Sequence, residues 1–266
     1  MVTAEAAQAP SAEVERYSFS KLSSWWTCPY GYYQRYIEHK PGIGNAFSSF
    51  GTLVHEIMED YANGKIDLWD LAKIYEWRFD AAVKEKFPYN KYVNLRDKYY
   101  NDGLRFLKTF SGYDNVKIMG VEENFTIPID DWYFVGVIDL MFVDKDGRWV
   151  IRDYKSKASF KDENEKYKYA RQLYLYSLHV HELTGRYPDE LQFLMFRKSN
   201  EPVRIQFNEA DLHEAVDWAK DTVRIIRNAF DYPAQCDEFY SQNLCNHREY
   251  CTLKLKKKYG PRKNKK

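Results

Sequence analysis

The chain has 266 residues, 44% of them hydrophobic and 30% charged, proportions that exclude wholesale disorder and a collagen-like repeat. No apolar run approaches the ~18 residues of a membrane span, and Met1 to Ser11 is small and polar without the apolar stretch of a signal peptide, so a cytoplasmic protein is expected. The net charge of +1 conceals a division: Lys254 to Lys266 hold eight Lys or Arg and no acid, leaving 32 basic against 39 acidic residues in the rest.

Residues 1–16 read as a flexible leader. Ser18 or Ser20 is placed to cap a short helix over Lys21–Trp26, and Cys28-Pro29 restarts the chain into an aromatic helix over Tyr30–Ile37. After the Pro41–Asn45 loop, Leu53, Ile57 and Tyr61 recur at four-residue spacing and predict a helix over Phe47–Tyr61. Two more helices are expected over Leu68–Phe87 and Asn94–Phe110. The texture then turns β-branched and aromatic, predicting strands over Val116–Pro128, Trp132–Val143 and Arg148–Tyr154, the last two joined by the Asp144–Gly147 turn. A long helix, Glu163–Thr184, closes at Gly185; strands Leu191–Arg197 and Val203–Phe207 follow. Asn208 caps a helix from Glu209 to about Phe230, and a cysteine-bearing loop, Tyr232–Cys251, leads to the basic tail. This order predicts a mixed α/β chain.

The hairpin around Asp146 carries the chemistry. Antiparallel pairing brings Asp139 opposite Asp153 to within one residue, and strand alternation points Asp153 and Lys155 to one face. Two carboxylates meeting in an apolar stretch are unfavourable unless a cation joins them. Mg²⁺ or Mn²⁺ held there would activate a water and neutralise charge on a scissile phosphate, with Lys155 orienting the water or stabilising the oxyanion. The plainer alternative is a surface hairpin with an ordinary Asp–Lys pair.

Asp139 followed by Asp153-Tyr154-Lys155 resembles the D…(D/E)-x-K signature of the PD-(D/E)XK nuclease superfamily. Four further segments resemble its RecB-type branch, which includes CRISPR-associated RecB-like exonucleases and the AddB nuclease domain. They are Ser18–Leu22 with Cys28-Pro29-Tyr30, Gly51–Glu56, Gln172–Tyr176, and Cys245 to Cys251. The resemblance implies a restriction-endonuclease-like central mixed sheet flanked by helices over 17–253, with a helical part (17–112), a nuclease core (113–231) and a cysteine-bearing segment (232–253) joining the two ends. It also implies that Asp139, Asp153, the Tyr154 carbonyl and His55 bind the metal, that Lys155 is catalytic, and that Gln172 and Tyr176 hold the lysine or contact phosphate. Glu122 is a weaker candidate, read as a surface acid.

Relatives with an iron–sulfur centre use one early and three late cysteines, which here implies Cys28, Cys236, Cys245 and Cys251 around a [4Fe–4S] cluster. The late three run C-x8-C-x5-C, departing from the usual C-x2-C-x5-C, so Zn²⁺ (with His247 as a possible ligand) or free thiols stay open. Lys254, Lys256, Lys257 and Lys258 in the tail are candidates for nonspecific phosphate attraction, with simple solubilisation as the alternative. Trp25, Trp26 and the Tyr30, Tyr32, Tyr33 and Tyr36 cluster offers base stacking or, more simply, core. The expected function is a metal-dependent DNA nuclease, an exonuclease on ends or single strands, working with a helicase or with a CRISPR or recombination partner. The rival is a nuclease-fold DNA-binding or assembly subunit without turnover.

Overall fold

The computed structural model describes residues 14–251. The leader up to residue 13 and the basic tail, with Lys254, Lys256, Lys257 and Lys258, lie outside the described residues.

The chain order of strands and helices builds one six-stranded mixed sheet between two helical layers. The strands are β1 (Arg16–Tyr17), β2 (Lys117–Ile129), β3 (Trp132–Val143), β4 (Trp149–Lys155), β5 (Glu190–Met195) and β6 (Val203–Gln206). β2–β3 and β3–β4 are antiparallel, β4 runs parallel to β5, and β6 returns antiparallel. A parallel neighbour requires a crossover, and α6 (Glu163–Thr184) supplies it between β4 and β5.

One detail of this sheet positions the site. β2 pairs along nearly all of one edge of β3. The opposite edge is shared, with β1 beside Tyr133 and Phe134 and β4 beside Leu140 to Val143. Between them, positions 135–139 have no strand partner on that edge among the described residues. Two-residue β1 was not foreseen, because so short a strand has no period to read.

α1 (Phe19–Thr27), α6 and α7 (Glu209–Arg227) cover one face, where Leu22, Leu173 and Ala219 are buried with Ile138, Ile151 and Phe193. α3 (Ala46–Ala62), α4 (Leu71–Ala82) and α5 (Leu95–Thr109) cover the other, burying Phe50, Tyr75 and Phe106 with Leu140, Phe142 and Leu194. Each such side chain contributes roughly 1.5–3 kcal/mol by leaving water. α2 (Pro29–Tyr32) continues into a π-helical turn over Tyr33–Ile37. The helix expected over Leu68–Phe87 is shorter: a 3₁₀ turn precedes α4, which ends at Ala82, and Pro88 disfavours helical backbone at Phe87.

The 232–251 segment folds back on the residues after α1. The Tyr30 N–H donates to the Pro233 carbonyl (3.3 Å) and the Ile43 N–H to the Asn246 carbonyl (2.8 Å). Asn45 Nδ2 reaches the Leu244 carbonyl (3.1 Å) and Arg248 the Gly44 carbonyl (2.7 Å). Among the described residues no helix is long and apolar enough to cross a membrane.

Candidate active site

His55 is delivered by α3, whose start is fixed by a reciprocal capping box between Asn45 and Ser48. Its Nε2 lies 3.0 Å from the Tyr154 carbonyl oxygen. A carbonyl only accepts, so Nε2 carries the proton and, in the neutral ring, Nδ1 carries a lone pair. That lone pair sits 3.6 Å from Asp139 Oδ2, which also accepts the Tyr154 N–H at 2.7 Å. One peptide unit on each side of Tyr154 thus orients both groups.

Glu122 completes this side of the site. Donor atoms of His55, Glu122 and Asp139 all lie within 4.8 Å of one another, in a cleft of about 450 Å³ that also includes Glu59. Burial, then the charge of Asp153, pushes the Asp139 carboxyl well above its usual range. Burial, then Glu59 and Asp153, raises Glu122, while burial lowers His55. Two carboxylates and an imidazole nitrogen facing one another suit a divalent cation, whose charge would bring both carboxyls back down and keep the imidazole neutral for binding. The imidazole adds affinity for Mn²⁺ over Mg²⁺.

Glu122 is therefore no isolated surface acid. It has a left-handed backbone, φ 48, a conformation that costs a non-glycine residue about 1 kcal/mol or more. Its position was legible in the sequence. The Asp130–Asp131 turn sets Ile129 opposite Trp132, and the pairs on either side of Glu122, Val121 with Leu140 and Glu123 with Ile138, put it across from Asp139.

Asp153 and Lys155 share a face, as strand alternation predicts, and point towards α6. Lys155 Nζ is 2.8 Å from Asp153 Oδ2 and donates to Gln172 Oε1 at 2.8 Å. The Gln172 amide nitrogen donates to Asp153 Oδ1 and to Tyr176 Oη, both at 2.9 Å. This fixes the amide orientation, because an ammonium only donates and a carboxylate only accepts. Gln172 and Tyr176 stand one helical turn apart. The expected meeting of Asp139 and Asp153 thus resolves into two groups: Asp139 with His55 and Glu122, Asp153 with Lys155 and Gln172. The Tyr154 carbonyl is engaged by His55, and the Tyr154 phenol points into the α3–α5 layer against Tyr113.

Gly136 forms the floor beneath Tyr176. A methyl group there would come within 2.6 Å of Phe125 and 2.9 Å of Tyr176, so the aromatic packing requires glycine for space rather than for backbone freedom.

The four cysteines form no disulfide, and Cys28, Cys245 and Cys251 are buried. Burial, then Cys28, with which it is hydrogen-bonded, pushes the Cys236 thiol up to about 12, and Cys251 and Cys245 act on it as well. The His247 backbone N–H bonds the Cys245 thiol, while the His247 ring engages the Lys40 carbonyl through Nε2 at 3.1 Å. Four thiols are the donor type that a four-thiolate centre uses. Of the early aromatics, Trp25 and Tyr32 are core, whereas Trp26 is 50% exposed.

The model of the PD-(D/E)XK nuclease superfamily matches residues 16–253. Among solved structures, a candidate exonuclease from Eubacterium rectale aligns with TM-score 0.51 at 16% identity, covering 89% of this chain and 88% of that one. SSO0001 aligns with TM-score 0.39 at 15% identity over 92% and 89% of the two chains. No curated protein matches. The likeness to the Eubacterium rectale structure is one of fold, and the family match spans every element from β1 to the last cysteine: this chain belongs to the PD-(D/E)XK nuclease superfamily.

Proposed function

We propose that the protein is a metal-dependent DNA exonuclease hydrolysing phosphodiester bonds. The observation that carries this reading is the pairing of a cation-type donor set, His55, Glu122 and Asp139, with an ammonium held by two partners next to it. A divalent cation bound there supplies a polarised water and offsets charge on the phosphate. His55, Glu122 and Asp139 would hold it, and Asp153, paired with Lys155, would be a further carboxylate available to it. Lys155 donates to the phosphate oxyanion or the attacking water, Asp153 and Gln172 aim it, and Tyr176 holds Gln172. Attack by the water oxygen forms the new P–O bond as the ester P–O bond breaks.

Cys28, Cys236, Cys245 and Cys251 fit a [4Fe–4S] centre with a structural role, because the loop they close tethers 232–251 to the residues after α1. A helicase or another DNA-processing protein is the partner class this chemistry suits.

Asp153→Ala and Lys155→Ala each reduce Mn²⁺-dependent cleavage of labelled DNA by at least about 10³-fold, the scale of losing an oxyanion-stabilising group. Calorimetric Mn²⁺ affinity is expected to fall in His55→Ala and Glu122→Gln. Cleavage by purified Asp153→Ala at the parent rate would overturn the assignment.

A further inference from the structure

Two clefts meet beside Lys155. One, of about 850 Å³, includes Lys155, Gln172 and Tyr176. The other, of about 870 Å³, runs between α1, the start of α6 and α7, and includes Trp26, Lys168 and Trp218. Phe19, Ser23 and Tyr169 line both, so the two adjoin along these residues and are taken together as one groove. We propose that this groove binds an unpaired DNA strand, running from the scissile phosphate past Phe19 and Tyr169 to Trp26, so that the substrate must present a single-stranded segment. The proposal rests on the nuclease reading and deepens it.

The groove is prepared for bases and phosphates together. Phe19 packs on Trp218 with centroids 5.7 Å apart. The Arg171 guanidinium lies 5.1 Å from the Trp218 ring, held there by Glu214. Lys155 and Lys157 approach the Tyr169 ring at 5.5 and 4.9 Å. Trp26 is half exposed, and its Nε1–H is fixed on Thr222 Oγ1 at 2.9 Å. Rigid, partly open aromatic faces stack on unpaired bases, whereas a duplex hides its base faces against one another.

The charges agree with this. The groove's acids are engaged: Glu165 by Lys157 and the Lys161 N–H, Asp162 by the Glu165 N–H, and Asp237 by the Tyr240 N–H. Lys161 and Lys168, by contrast, are exposed and have no ion pair among the described residues. The neighbouring cleft carries Glu56, Glu59, Glu122 and Asp139, which repel phosphates until a cation is present. The strand therefore leaves along the Lys155 side.

The test separates binding from chemistry. Binding of fluorescein-labelled oligo(dT) and of a blunt DNA hairpin is measured by anisotropy with the full chain in EDTA, where metal-dependent cleavage is off. Mn²⁺-dependent hydrolysis of bis(p-nitrophenyl) phosphate, which fills only the reaction centre, is measured alongside. Trp26→Ala is expected to weaken oligo(dT) binding about tenfold, one lost base stack, and Lys168→Ala severalfold. Trp26→Phe retains most of the affinity, and hairpin binding and diester hydrolysis stay at parent levels in all three variants. Unchanged oligo(dT) affinity in both alanine variants, or an equal loss for hairpin and oligo(dT), would overturn the proposal. If the parent hydrolyses neither DNA nor the diester while the oligo(dT) pattern holds, the groove stands and the nuclease reading fails.

Discussion

Lys155 and Asp153 are a nearly buried ion pair, with side chains 17% and 5% exposed. Removing one member strands the other's charge in a poor dielectric, a cost of about 3 kcal/mol, whereas removing both avoids it. Lys155→Ala is therefore expected to melt lower than the Lys155→Ala/Asp153→Ala double variant by thermal denaturation. A double variant less stable than the single would show that the pair is no buried liability. The same pair also shows what could be read residue by residue. Its shared face follows from the two-residue period of a strand, whereas the division of labour between Asp139 and Asp153 does not. That division depends on His55 and Glu122, which arrive from α3 and β2.

At the scale of elements, β3 decides the geometry. Phe134 and Ile138 are buried with the α1–α6–α7 layer, yet Leu140 and Phe142 are buried with the α3–α5 layer. Simple alternation would put Ile138 and Leu140 on one side, so the strand changes face at Asp139, opposite the left-handed Glu122. Hydrophobicity along β3 looks uniform, which is why its span was legible and its change of face was not. Floor and wall meet at Gly136. Gly136→Ala forces Phe125 and Tyr176 apart, at a cost of about 1–3 kcal/mol for overpacking. Tyr176 then loses its hold on Gln172, and cleavage is expected to fall about tenfold while Mn²⁺ affinity, measured by calorimetry, is kept. Unaltered cleavage would place Tyr176 outside the machinery. A comparable boundary effect explains α4: apolar spacing continued to Phe87, but Pro88 and the turn at Val83 stopped the helix earlier.

For the whole molecule, the cysteine loop and the residues after α1 are stitched together by backbone and Asn45 hydrogen bonds and by the hydrogen bond between Cys28 and Cys236. Anaerobically purified protein is expected to contain iron and sulfide, and Cys28→Ser to lose both. Limited proteolysis of Cys28→Ser then cuts first between Pro233 and Leu244, with the sheet and α6 still protected. Iron-free parent protein, or a cleavage pattern identical to the variant's, would remove the cluster from the account.

The amino-acid sequence by itself determined the order of the longer helices and strands, the hairpin and the shared face of Asp153 and Lys155. Each of these follows from short-range rules of strand alternation, helix spacing and turn length. The two-residue Asp130–Asp131 turn set Glu122 against Asp139 in the same way, although a lone acid on a strand gives no sign of its partners. Only the tertiary structure decided which groups meet. The gap left on one edge of β3 between β1 and β4, the His55 ring on the Tyr154 carbonyl, and the joining of two clefts past Phe19 and Tyr169 all arise where residues far apart in the chain pack together. Such contacts are set by the burial of whole helix faces against the sheet, and no local pattern in the chain encodes them.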